Sequence, residues 1–392
     1  MPPIGDTVPG ASAIDVAALH DTAARQFDWA RREHGELERR MLVGGQVVRF
    51  RFAGQKLDAA LTPAIGHLEC DAPGAHSHLA IDVWQSSQAP IELPKEAWER
   101  AISPSLALGS HDFVYCQPDI GMVILFRGNR ALVCYRNIDE SPPWELAIPF
   151  RIVLNSWFQR FGGQIIHGAA VGDENHAVIL AGAGGAGKSS TALSCLAHPG
   201  LYYLSDDLCL LQDAGGGLGD RAELLPEAGS TVHDRSGKRA SAPAAIPPVD
   251  AAPVVFSLYN SIKIRRESLP QFAGMHLSHL EHLPLDRGKP TFFLYPRHRE
   301  RLARERPVCA VLLPRITHRP ETRTRPASPQ DAWRVLIPST FAVVMGERKT
   351  AARNMFRLTG NLPVYWLDLG VDRRQIADTI HALLGSFPGK AG

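Results

Sequence analysis

One octapeptide constrains the fold more than any other feature: Gly182-Ala183-Gly184-Gly185-Ala186-Gly187-Lys188-Ser189 satisfies the pattern GxxxxGK[ST] in full. It follows the apolar run Ala177-Val178-Ile179-Leu180-Ala181 and precedes residues 190–197, which suit a helix. Buried strand, glycine loop and helix is the order in which such a loop holds phosphate. Glycines let backbone N–H groups converge on phosphate oxygens with no Cβ in the way, and a helix N-terminus adds partial positive charge. The expected nucleotide contacts are Gly182, Gly184, Gly185, Ala186, Gly187, Lys188, Ser189 and Ser190. Lys188 would hold the β- and γ-phosphates of ATP, and the Ser189 hydroxyl would ligate Mg²⁺, a hard cation that prefers oxygen.

Residues 201–211 add a second constraint, an apolar strand interrupted by Asp206 and Asp207. Burying two adjacent carboxylates is costly unless a cation or a proton compensates them. A nucleotide-bound Mg²⁺ would do so. Neighbouring strand residues face opposite ways, so the pair implies two roles unless the strand bends. One aspartate would join Ser189 at the metal, and the other would accept a proton from an attacking hydroxyl. Either aspartate fits either role.

The chain has 392 residues, enough for two or three domains, with 45% hydrophobic and 21% charged residues, which excludes wholesale disorder and a fibrous repeat. A net charge of +2 argues against a surface devoted to nucleic acid or anionic membrane. The six cysteines lie far apart without a CxxC pair, as expected of reduced, mostly buried thiols. No apolar run is long enough to span a bilayer and the first residues do not resemble a signal peptide, so a cytoplasmic location is expected.

Apolar spacing over residues 13–42 predicts one or two amphipathic helices. Val48, Phe50 and Phe52 alternate with Arg49 and Arg51, the pattern of a half-buried strand. Residues 122–135 read as a hairpin turning at Gly128-Asn129. After Pro142, Pro143 and Pro149, a helix is expected over 150–161, so a domain boundary is placed near residue 150. The expectation is a helix plus β-rich region over 1–150 and an α/β domain over 151–392. Residues 213–253, rich in Gly, Ala and Pro, read as loops.

Several weaker features have ordinary structural explanations. His276, His279 and His282 recur at spacing three and read as a polar helix face, since no carboxylate or cysteine set accompanies them as metal ligands would. His76 and His78 read the same way on a strand. The arginine runs 297–306 and 315–325 are either solvated or positioned to grip phosphate or an acidic acceptor. Few aromatics interleave with them, which disfavours nucleic acid. Ser328-Pro329-Gln330-Asp331 has the form of a capping box. A helix over 348–358 and a strand over 364–369 complete the pattern, and Arg348, Lys349 and Arg353 are left without a place relative to the nucleotide.

The string Ile166-His167-Gly168, the loop Gly182 to Ser189 and Ser205-Asp206-Asp207, 17 residues beyond Ser189, together resemble the catalytic domain of the HPr kinase/phosphorylase family over about 40 residues. The resemblance implies a P-loop fold similar to phosphoenolpyruvate carboxykinase and transfer of the ATP γ-phosphoryl to a protein serine. It implies that Asp206 and Asp207 divide the base and Mg²⁺ roles, and that His167 lines the acceptor side. The Glu-Ile-Arg-Gly-Leu-Gly loop of that family is missing, and residues 1–150 do not look like its N-terminal domain. The chain is more similar to HPr-kinase-related proteins that include serine kinases of lasso-peptide precursors. Residues 257–264 resemble a Ser-Leu-Lys-Asn-type strand of those relatives, with Tyr259 in place of the lysine.

The resulting expectation is an ATP- and Mg²⁺-dependent kinase acting on a serine hydroxyl of a peptide or protein. Catalysis would rest on Asp206, Asp207, Lys188 and His167. A small-metabolite kinase and a nucleotide switch without phosphotransfer are the alternatives. No nucleic-acid or membrane partner is expected, and a homo-oligomer is compatible with the sequence.

Overall fold

The two periodicities in the chain, alternation early and apolar strands between glycines later, fold into two main sheets. The computed structural model describes residues 16–71, 76–86, 112–214, 252–277, 282–286, 288–344 and 347–388. Helix α1 (Val16–His34) leads into β1 (Glu36–Val43), β2 (Gln46–Ala53), α2 (Gln55–Leu61) and β3 (Leu79–Gln85). Three more strands follow: β4 (Phe113–Gln117), β5 (Met122–Arg127) and β6 (Arg130–Tyr135). They form one six-stranded sheet in the order β1-β2-β3-β6-β5-β4.

The predicted helical stretch over 13–42 is corrected here, because its second half is a strand. Gly35 at φ 81 ends the helix, and Gly44 and Gly45 at φ 56 and 74 turn β1 back onto β2. Leu37 and Met41 have helical spacing, but the two-glycine turn favours a hairpin there. Val48, Phe50 and Phe52 face inward as expected, and the 122–135 hairpin turns between Arg127 and Arg130.

Both faces of this sheet are covered. Phe27 and Ala30 of α1 pack on Trp84, Leu125, Leu132 and Cys134. The opposite face, with Phe50, Ile81, Ile124 and Val133, shares one cluster with Trp157, Leu208, Leu258 and Tyr259. Apolar side chains on either side of residue 150 therefore form a common core.

The second half begins with α3 (Pro143–Ala147) and α4 (Arg151–Gln159), then β7 (Gln164–His167), β8 (Ala169–Gly172) and β9 (Ala177–Leu180). Helix α5 (Lys188–Ala197) precedes β10 (Tyr202–Ser205), β11 (Leu208–Gln212), β12 (Val254–Phe256) and β13 (Ser261–Lys263). The remainder is β14 (His282–Asp286), β15 (Lys289–Phe293), β16 (Glu305–Arg319), β17 (Arg323–Ala327), α6 (Pro329–Val343), α7 (Arg348–Thr359), β18 (Val364–Gly370) and α8 (Arg373–Gly385). The large sheet runs β10-β8-β9-β16-β12-β11-β7, with β18 beside β16 and β17 beside β18. It is mixed, because β9 and β18 lie parallel to β16 while the other pairs are antiparallel. A three-stranded sheet, β13-β15-β14, stands apart from it.

Helix α6 starts at the expected capping box, with the Ser328 and Asp331 side chains each bonded to the other's backbone. His276 and His282 share no helix: His276 ends a 3-10 segment at φ 51 and His282 opens β14, while His279 lies outside the described residues. Most of the predicted 213–253 loop region also lies outside them. Five cysteines are buried and Cys70 is half-buried, all as free thiols. Among the described residues no helix is long and apolar enough to cross a membrane.

Candidate active site

The site forms where two pairs of strands bend together. β7 pairs with β11 and β8 with β10, so the consecutive strands 164–172 and 202–212 run side by side as one antiparallel ribbon. The ribbon kinks at Gly168 on one strand and at Asp206-Asp207 on the other, where the Gly168 N–H donates to the Asp207 carbonyl at 3.1 Å. Asp207 takes φ 68, a left-handed value that aspartate tolerates better than most residues. The bend removes the strict alternation of a strand. Both carboxylates consequently line one cleft of about 430 Å³, together with His167 and the glycine loop.

The loop lies between β9 and α5, the arrangement the octapeptide predicts. Gly187 sits at φ 106, and a Cβ there would come within 2.5 Å of Leu369 Cδ1. Glycine is required on both grounds. Lys188 folds back to donate to the Gly182 carbonyl at 2.6 Å and is buried. Burial lowers its pKa, against the opposing pull of Asp206 and Asp207.

The two aspartates differ sharply. Asp206 is fully buried beside Ser189 and accepts, at 3.4 Å, from the Lys263 backbone N–H. Burial and the neighbouring Asp207 charge raise its carboxyl above the ordinary value. Asp207 lies between His167 Nε2 at 3.2 Å and Lys263 Nζ at 3.0 Å. Its burial would raise the carboxyl, but the hydrogen bond from His167 and the Lys263 charge outweigh that and hold it well below the usual range. Two adjacent carboxylates with pKa values driven apart are a common basis for distinct acid–base roles.

Lys263 did not emerge from the sequence as a site residue. It is the penultimate residue of the 257–264 segment, in which Tyr259 stands in place of the central lysine, so the positive charge lies four residues further on. First-half residues hold this segment in place. Asn260 donates to the Pro63 and Ala64 carbonyls at 2.8 and 2.9 Å, Ser261 to Ala147 at 2.8 Å and Tyr259 to Pro149 at 2.7 Å. His67, kept neutral by burial that pushes its pKa down to about 3, contacts the Ser257 hydroxyl at 2.7 Å. Loops and short helical turns of the first half thus set the position of Lys263.

Arg265, Lys289 and Arg373 also line the cleft and were not singled out in the sequence. With Lys188 and Lys263 they make five cations against two carboxylates, an excess of three positive charges. Neither Lys289 nor Arg373 forms an ion pair among the described residues; Arg373 is held instead by Gln271 at 2.6 and 2.8 Å. Such a cleft suits a polyanion. The first arginine run lies elsewhere: Arg301 donates to the Pro199 and Leu201 carbonyls at 2.5 Å, Arg304 to Glu69 and Arg306 to Asp173 at 2.9 Å each. Arg348, Lys349 and Arg353 do not line the cleft.

Among the described residues, no cluster of three or more His, Cys, Asp or Glu could cage a metal alone. Mg²⁺ does not need one, since it commonly takes one or two protein oxygens and completes its shell with water and substrate phosphate. The Ser189–Asp206 pair at the helix N-terminus is a donor set of that kind.

No protein-family model matches the chain, and no curated protein matches it. Among solved structures, the Hpr(Ser) kinase/phosphatase from Coxiella burnetii is similar over 56% of this chain and 95% of its own, at 9% identity and a TM-score of 0.24.

Proposed function

We propose that the chain is an ATP- and Mg²⁺-dependent kinase that transfers the γ-phosphoryl group to a serine hydroxyl of a peptide or protein, with residues 151–392 as its P-loop catalytic domain. The observation that supports this best is Asp207. A carboxylate kept ionised by His167 and Lys263, in the same cleft as a GxxxxGKS loop, is what hydroxyl activation requires. A nucleotide-sensing switch has no evident use for such a second carboxylate.

Each residue then has a task. Backbone N–H groups of Gly184, Gly185, Ala186 and Gly187 receive phosphate oxygens, and Lys188 turns from the Gly182 carbonyl to the β- and γ-phosphates. Ser189 and Asp206 would hold Mg²⁺, whose charge would draw electron density from the phosphates. Asp207 orients the acceptor hydroxyl and takes its proton as the new oxygen–phosphorus bond forms and the bond from the γ-phosphorus to the bridging oxygen of ADP breaks, a late transfer suited to a weakly basic carboxylate. His167 and Lys263 fix that carboxylate and neutralise the charge it carries.

The test is transfer of labelled γ-phosphate from Mg·ATP to soluble extract from the source cells. Label on a peptide or protein serine, lost in Asp207→Asn and in Lys188→Ala, is expected. Label confined to a small molecule would move the acceptor class to metabolites, and tight ATP binding with no label transferred would remove the kinase reading.

A further inference from the structure

Strand β16 has two working faces at its C-terminal end. Ile316 and His318 line the cleft, while Arg315, Thr317 and Arg319 line a separate groove of about 490 Å³ with Arg325 and Asp368. Pairing explains the grouping: Arg315 lies opposite Asp368, and β17 lies antiparallel on the far side of β18. Between Ile316 and Arg319 the register slips, with His318 at φ 56. The alternation of a strand nevertheless persists through this irregularity, so Arg315, Thr317 and Arg319 share the groove face while Ile316 and His318 share the cleft face.

The groove is positively charged after its internal pairing is counted. Arg315 and Arg325 both reach Asp368, each at 2.8 Å, but that single carboxylate faces three guanidinium groups. Arg319 is exposed and has no ion pair among the described residues. Asp368 itself is buried, so it fixes two arginine heads in orientation while the pair stays about half exposed. Fixed, planar, excess guanidinium groups recognise carboxylates in pairs. The neighbouring Trp366 is partly buried, and its ring is already engaged by Arg315 at 5.3 Å. That argues against a single-stranded nucleic acid, which would use such a platform.

We infer that this groove docks an acidic segment of a polypeptide. Resting on the kinase reading, the segment would belong to the acceptor, bound behind β16 while its serine enters the cleft on the other face of the same strand.

Peptide binding and ATP binding are measured separately. A fluorescent ten-residue peptide rich in Glu and Asp, and its Gln/Asn counterpart, are titrated by anisotropy against the full chain. The acidic peptide should bind, more weakly at high salt, and the neutral one should not. Arg315→Gln/Arg319→Gln/Arg325→Gln should weaken it about tenfold or more. Arg319→Glu alone, which leaves both partners of Asp368 intact, should weaken it several-fold. ATP binding should be unchanged in every variant, so a failure of the nucleotide reading would appear independently. Equal binding of the two peptides, indifference to Arg319→Glu, or tighter binding of a single-stranded oligonucleotide would overturn the inference.

Discussion

Lys263 Nζ lies 3.0 Å from Asp207 Oδ2, joining a short strand of the three-stranded sheet to the kink of the large one. The contact brings together residues 56 positions apart. Asp207 owes part of its depressed pKa to this charge. Replacing Lys263 with Met should raise the Asp207 carboxyl. Because the proposed reaction needs the ionised form, the acid limb of the kcat/KM profile should move to higher pH. The rate at neutral pH should fall on the order of 10²-fold, as for loss of a preorganised charge. An unshifted limb in the variant would separate Lys263 from the chemistry. Stability has the same sign: a depressed carboxyl stabilises the fold above its ordinary pKa of 3.8, and that contribution is lost as pH falls through the folded value.

Asp206 has the opposite sign. Its carboxyl is raised by burial and by Asp207, so ionisation opposes folding, and stability increases as pH falls through the raised value toward 3.8. Without metal or nucleotide, Asp206→Asn should melt above the wild type at neutral pH. The difference should shrink as the pH is lowered. Added Mg·ATP should stabilise the wild type and leave the variant nearly unmoved. Thermal melts across pH, with EDTA or Mg·ATP, provide the check, and a variant that melts lower at neutral pH would contradict the assignment.

Gly187→Ala tests the loop backbone. The left-handed conformation costs a side-chain-bearing residue roughly 1–2 kcal/mol, and the added Cβ meets Leu369. ATP affinity measured by calorimetry should drop strongly while the far-ultraviolet circular dichroism spectrum is retained. Gly184→Ala, where a Cβ meets nothing within 4 Å, should leave the fold intact and serves as the comparison.

Trp157 connects the two sheets. It is 1% exposed, packs in the shared cluster, and donates from Nε1 to Gln46 Oε1 at 2.6 Å. Trp157→Ala should cost about 3–5 kcal/mol. Chemical denaturation should show both halves losing stability in one transition, because the cluster spans them. Two separated transitions, with only one displaced, would indicate that the shared core does not couple the halves.

Where a local pattern had no local competitor, it was legible in advance. The octapeptide, the hairpin at Gly128, the capping box at Ser328 and the strand over 364–369 each depend on residues close in sequence, so backbone preference and side-chain periodicity suffice to read them. Residues 36–43 misled because apolar side chains four apart suit a helix, whereas Gly35 and the Gly44-Gly45 turn commit the chain to a hairpin. Candidate site residues were legible to the extent that they sat in motifs: His167, Lys188, Ser189, Asp206 and Asp207 line one cleft.

The sequence by itself determined where the glycine loop and the paired carboxylates stand, because each is written in adjacent residues. Tertiary structure alone decided how the aspartates differ, since their pKa values depend on burial and on partners drawn from residues 167, 189 and 263. It also decided that loops and short helical turns of the first half anchor the segment carrying Lys263, and that one strand separates the cleft from an arginine groove. Electrostatics acts through space over a few ångströms, and distance along the chain does not report it.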